Sequence, residues 1–165
     1  MAVYTYIIKN TSKEVVVKID TVDGATGVIA LTSLASADQV LGASGAAGAA
    51  VGATGPVVNI AKIIFTGELG SAIRITRNGE NIFAGAPENA PFLDLVGNGI
   101  SENRHNNKDI VIIKEGATGI PVTGYLVLHK QDGFYSKVEY EKYGAYDDET
   151  AVGALDIVGS PDYTG

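Results

Sequence analysis

AKIIFTGELGSAIRITRNGENIFAG, residues 61–85, carries the plainest strand and turn signals of the chain. Ile63, Ile64 and Phe65 form an apolar run, and Thr66-Gly67-Glu68-Leu69-Gly70 interrupts it. Ile73, Ile75 and Arg77 then alternate with Arg74 and Thr76, which sets the two isoleucines on one face of a strand with period two. Asn78-Gly79 follows, the dipeptide that most readily supplies the two positive φ angles of a type I′ hairpin turn. Glu80–Ala84 is the predicted return strand, with Ile82 and Phe83 as its apolar residues. The whole stretch reads as a β-meander on which the rest of the chain packs.

Towards the N-terminus, Val3–Lys9 and Val15–Ile19 flank a polar turn, Asn10-Thr11-Ser12-Lys13, and read as a hairpin. Asp20 and Asp23 before Gly24 resemble a fragment of a calcium loop, but the other spaced oxygen ligands are missing, so the segment reads as a turn. Val28–Leu31 is a short third strand, and Ser33–Leu41 is the single helical candidate, with Ser36 as cap and Asp38 in its first turn. Towards the C-terminus come a rigid Pro87–Pro91 connection, a short strand at Phe92–Val96 and an exposed polar loop at Asn98–Asp109. Ile110–Lys114 is an apolar strand, Glu115–Pro121 a long turn, and Thr123–Lys130 the last strand, expected to pair with Ile110–Lys114 as a hairpin. About nine short strands separated by turn signals predict an all-β chain, an antiparallel β-sandwich or jelly-roll-like domain over residues 1–130.

Composition agrees with that class. The chain has 165 residues, enough for one domain with a real core, and 45% apolar content argues against wholesale disorder. Cysteine is absent, which excludes disulfides and thiolate metal sites. MAVYTYIIKN lacks a basic region followed by a long apolar core and reads as a first strand instead of a signal peptide. Residues 131–165 hold eight acids against two bases, leaving −6 of the net −7 in this tail. A near-neutral body with an acidic tail lacks the clustered cations that nucleic acid requires, and suits contact with a basic protein surface.

Gly42–Pro56, GASGAAGAAVGATGP, contains five Gly and six Ala in 15 residues, inside an uncharged run from Gln39 to Ala61. Its length would cross a bilayer, but Gly and Ala supply little transfer energy, so no membrane partner is expected. The segment reads as a loop ordered by a neighbouring subunit, with Gly48 and Val51 in the contact. Beyond Gln131, Tyr135, Tyr140, Tyr143, Tyr146 and Tyr163 stand among acids and glycines. Tyrosine offers large contact area with few torsions to freeze, so residues 131–165 read as an arm that grips an adjacent molecule.

Chemistry is sparse. His105 and His129 stand apart, no G-x-S-x-G surrounds a serine, and no Lys-Ser/Thr follows the glycines of 42–55. Zinc-type ligand clusters are lacking too, so neither metal nor cofactor is expected. A small hydrolase or sugar-binding module would draw on Asp94, Glu102, His105 or Asp109, and the sequence offers few exposed aromatics in the body for stacking on sugars.

Taken together, the strand beginning at the first methionine, the cysteine-free short strands, the Gly42–Pro56 insertion and the acidic Tyr-rich tail resemble small virion structural proteins of tailed bacteriophages. The resemblance is one of style over most of the length, with no signature motif to carry a functional residue across. It implies a non-enzymatic capsid decoration (cement) protein, a homo-oligomer, often a trimer, bound to the major capsid protein or other virion proteins. A tail-tube, neck or adaptor component is the alternative within that class.

Overall fold

Val15, Val17, Ile19 and Thr21 alternate with Glu14, Val16, Lys18 and Asp20, and the folded strand buries the first set. The same period sets Val122, Gly124, Leu126 and Leu128 inward from one strand, and Ile110, Ile112 and Lys114 inward from another. The computed structural model describes residues 3–22, 26–42 and 55–136. Its strands are β1 (Tyr4–Asn10), β2 (Glu14–Thr21), β3 (Thr26–Ile29), β4 (Gln39–Leu41), β5 (Val57–Gly67) and β6 (Ser71–Arg77). They continue with β7 (Glu80–Gly85), β8 (Phe92–Asp94), β9 (Ile110–Gly116), β10 (Val122–Asp132) and β11 (Phe134–Ser136). The chain is therefore all-β, and no described helix is long and apolar enough to cross a membrane.

Two compact units divide the chain: Met1–Leu34 with Val57–Gln131, and Ala35–Pro56 with Asp132–Gly165. The first is an antiparallel β-sandwich. One sheet runs β1-β2-β10-β5-β8 and the other β3-β9-β6-β7. Between them lie the inward residues of both, including Val17, Ile19, Ile63, Phe65, Ile73, Ile75, Ile112 and Leu126, all at most 1% exposed. Phe65 from the first sheet stacks on Phe83 from the second, with ring centroids 6.0 Å apart. Gly124 is the position beside Phe65 where a Cβ would strike the ring, so glycine there makes room for the largest apolar side chain of the core.

The β6–β7 hairpin forms as expected: Asn78 and Gly79 take φ of 51° and 79°, and Arg77 pairs with Glu80. The expected meander does not. β5 and β6 belong to opposite sheets, because Gly67–Gly70 carries the chain across the sandwich and Gly70, at φ 99°, permits the turn. The expected hairpin between Ile110–Lys114 and Thr123–Lys130 is likewise replaced. β9 pairs with β3 and β6, whereas β10 pairs with β2 and lies beside β5, so Ala117–Pro121 is a second crossing.

Ser33–Leu41 is not helical. A 3-10 turn spans Leu31–Ser33; then the Ser36 amide donates to Gln39 Oε1 at 3.1 Å and the Gln39 amide to the Ser36 carbonyl at 3.0 Å. Nine residues offer too few helical bonds to offset nucleation, and Val40 is spent on a strand. The Phe92–Val96 strand ends early at Asp94, where the Leu95 and Val96 amides turn back to the Ala61 carbonyl. In the second unit β4 pairs with β11, matching Val40 to Tyr135, and the Gly42 amide donates to the Gly133 carbonyl at 2.7 Å.

Candidate interaction surface

Arg77 follows Ile73 and Ile75 at the same strand parity, so it points into the sandwich and is fully buried. Nη1 donates to the Val58 carbonyl at 2.7 Å, Nη2 to the Asn106 carbonyl at 2.9 Å, and Nε and Nη2 to the Lys108 carbonyl at 3.0 and 2.7 Å. Desolvation lowers its pKa to about 10, against the pull of Asp109 and Glu102, so it stays charged at neutral pH. Those carbonyls belong to β5 and to the 98–109 loop, the segment read from sequence as simply exposed. Arg77 thus ties that loop to both sheets.

Further bonds hold the same loop. The Val58 amide donates to Asn106 O, Asn59 Nδ2 donates to Asn103 Oδ1, Asn106 Nδ2 donates to Asn59 Oδ1, and the Leu31 amide donates to Asp109 Oδ1 at 3.0 Å. Outside, Arg104 forks onto Glu80 at 2.6 and 3.0 Å. This fork, with His105 Nε2 3.4 Å away, holds the Glu80 carboxyl down at about 2. His105 itself sits in the left-handed region, φ 54°, with Nδ1 3.5 Å from Asn78 Nδ2.

The carboxylates and histidine weighed as hydrolase residues therefore have separate employments. Asp94 Oδ1 accepts the Gly97 amide in a turn, Glu102 accepts the Arg104 amide, Asp109 caps Leu31, and His105 faces Glu80. His129 lies 3.5 Å from Glu14 on β2. Among the described residues no three His, Asp or Glu side chains are grouped as metal ligands. This polar cluster is a clasp for a loop.

The outer face of the five-stranded sheet has the opposite character. Tyr4, Tyr6, Ile7 and Ile8 of the edge strand β1 are 52%, 50%, 44% and 55% exposed. Tyr4 stands opposite Asp20 and Tyr6 opposite Lys18, both outward, whereas Ile7 stands opposite the buried Val17. β1 therefore shows apolar side chains on both of its faces. Ile8 is skipped in the pairing, a bulge between Ile7 and Lys9, and bulges with an edge lysine limit indiscriminate strand addition.

Register carries the aromatic theme across the sheet. Tyr125 on β10 also stands opposite Lys18, and Phe92 on β8, 62% exposed, stands opposite Ile64. A Cβ at Gly124 would meet Phe65 and the Ile64 carbonyl, which sets Gly124 beside Phe65 and the next outward positions, Tyr125 and Ile64, beside each other. Tyr6, Lys18, Tyr125, Ile64 and Phe92 form one transverse row. The sequence suggested too few exposed rings in the body; outward parity on three separate strands is what assembles them.

Of the residues expected in the arm and loop, Tyr135 is described. It is half-buried on β11, and its hydroxyl donates to Asp132 Oδ1 at 3.2 Å. Burial first, then Asp132, pushes the Tyr135 pKa up. Tyr140, Tyr143, Tyr146, Tyr163, Gly48 and Val51 lie outside the described residues. No protein-family model matches the chain, and no curated protein matches it.

Proposed function

We propose that the chain is a non-enzymatic assembly module that joins other molecules through the open edge of β1. In its most specific form it is a capsid decoration protein of a tailed-phage head, a homo-oligomer seated on the major capsid protein. The observation that carries this reading is an edge strand with exposed apolar side chains on both faces. A strand of that kind presents free backbone donors and acceptors together with area to bury. The acidic tail, −6 over residues 131–165, supports a basic partner surface. On a repeating lattice, weak contacts per subunit multiply into firm attachment.

The test is the mass of the full chain in solution, alone and with a phage-head fraction, beside a Tyr4→Ser/Ile8→Ser variant. The wild type is expected to self-associate and co-sediment with heads, and the variant to stay monomeric with its melting temperature kept. A wild type that remains monomeric and ignores heads overturns the reading. Threefold clusters in negative-stain images favour head decoration, and sixfold or twelvefold rings favour the tail or neck. Deleting residues 135–165 is expected to leave a folded domain that no longer assembles.

A further inference from the structure

We propose that the outer face of the five-stranded sheet is a binding platform for an extended, unbranched β-1,4-linked glycan, stacked on Tyr6, Tyr125 and Phe92. Tyr6 lies on β1, Tyr125 on β10 and Phe92 on β8, which are the first, third and fifth strands of the sheet. Neighbouring strands are about 4.8 Å apart, so the rings recur at about 10 Å, roughly the length of two successive sugar units in an extended chain. Between the rings stand Lys18 and Ile64.

The flanking rows are mixed, with Val16 and Val127 paired outward on the side away from Asp20. Asp20 and Thr123, paired with each other, line one side, and Lys62, two residues before Ile64 on β5, lies on the other. A pyranose has an apolar C–H face and a rim of hydroxyls, so its face suits the rings and its rim suits Lys18, Asp20, Thr123 and Lys62. Two competing ligands suit the row less well. The core of a protein interface is depleted of charge, whereas Lys18 stands within this row, between Tyr6 and Tyr125. Single-stranded nucleic acid needs a cationic track, whereas Lys62 stands opposite Asp94 in register and Asp20 lies two residues from Lys18 on β2.

Sheet twist sharpens the specificity. A right-handed twist of about 20–25° per strand fans the three rings, so a ligand that spans them must twist along its axis. Soluble oligosaccharides satisfy this and a flat crystalline surface does not. Tyr6 lies on β1 itself, but Tyr125 and Phe92 are away from that edge, so glycan binding and assembly through β1 can be lost separately.

Isothermal titration of the full chain with cellohexaose, xylohexaose and cellobiose tests it, with crystalline cellulose pull-down alongside. One hexaose at least is expected to bind, with cellobiose about tenfold weaker or worse and little retention on the crystal. Phe92→Ala and Tyr6→Ala are each expected to weaken hexaose binding about tenfold, because each removes one stacked ring. Phe92 and Tyr6 are at least half exposed, so these variants remain folded, and Tyr125→Ala serves as a third probe with its melting curve recorded. Neither hexaose binding, or binding that survives loss of both Phe92 and Tyr6, overturns the proposal. Loss of sugar binding in Phe92→Ala with unchanged self-association separates this site from the β1 contact.

Discussion

Arg77 and the row from Tyr6 to Phe92 both sit on the unexpected side of the sandwich: a cation within, rings without. They differ in what answers them. The guanidinium is met inside the chain by the carbonyls of Val58, Asn106 and Lys108, so each of its nitrogens has an acceptor and it belongs to folding. The rings of Tyr6 and Phe92 remain at least half exposed, so the described fold leaves much of their area uncovered. Violations that the chain satisfies for itself build structure, and those it leaves open point to a ligand or partner.

The harshest way to break that comparison is Arg77→Met. It strands buried carbonyls and releases the 98–109 loop, and should cost about 3 kcal/mol or more, read as a lower urea midpoint. A cost under about 1 kcal/mol would mean that water can replace the guanidinium, and the contrast with the outer row would fall. Gly124→Val comes next. Its side chain meets Phe65, whose ring already stacks on Phe83, and should cost about 1–3 kcal/mol with a lowered melting temperature.

Glu80→Gln sharpens the comparison from outside, because Arg104 ties down the same loop in solvent. Glu80 is held at about 2 against an ordinary 4.5, so its contribution is complete above pH 4.5 and fades as pH falls towards 2. The gap in melting temperature between wild type and variant should be steady at neutral pH and close across that acid window. A gap that does not change with pH would show that Arg104 contributes nothing electrostatic there. The smallest effect belongs to Tyr6→Ser, expected to move stability by no more than about 0.5 kcal/mol while binding changes.

Much of the fold was legible locally. The Asn78-Gly79 turn marked one hairpin, and the alternation of Ile73 and Ile75 with Arg74 and Thr76 marked the inward face of β6. Partnership between strands was not legible, because period two marks a face and says nothing about the neighbour. The glycines at 67, 70, 116 and 119 look like hairpin turns in sequence, yet both connections change sheets. The Arg77 signal was present as an arginine in phase with Ile73 and Ile75, but its acceptors are backbone atoms, which leave no trace in side-chain identity. The ring row was hidden for a related reason: Tyr6, Phe92 and Tyr125 come together only once β1, β8 and β10 find their order.

That order has one more consequence. β10 fills the middle of its sheet, between β2, about a hundred positions earlier, and β5, yet it is among the last strands to leave the ribosome. Until it arrives, the β1–β2 hairpin and the β5–β8 pair have sticky inner flanks and nothing to join them. Such a chain should fold late and slowly, in milliseconds to seconds once complete, and nascent lengths ending before Val122 should be protease-sensitive. A nascent chain stalled at Pro121 that resisted protease would show the sheet can close without its keystone.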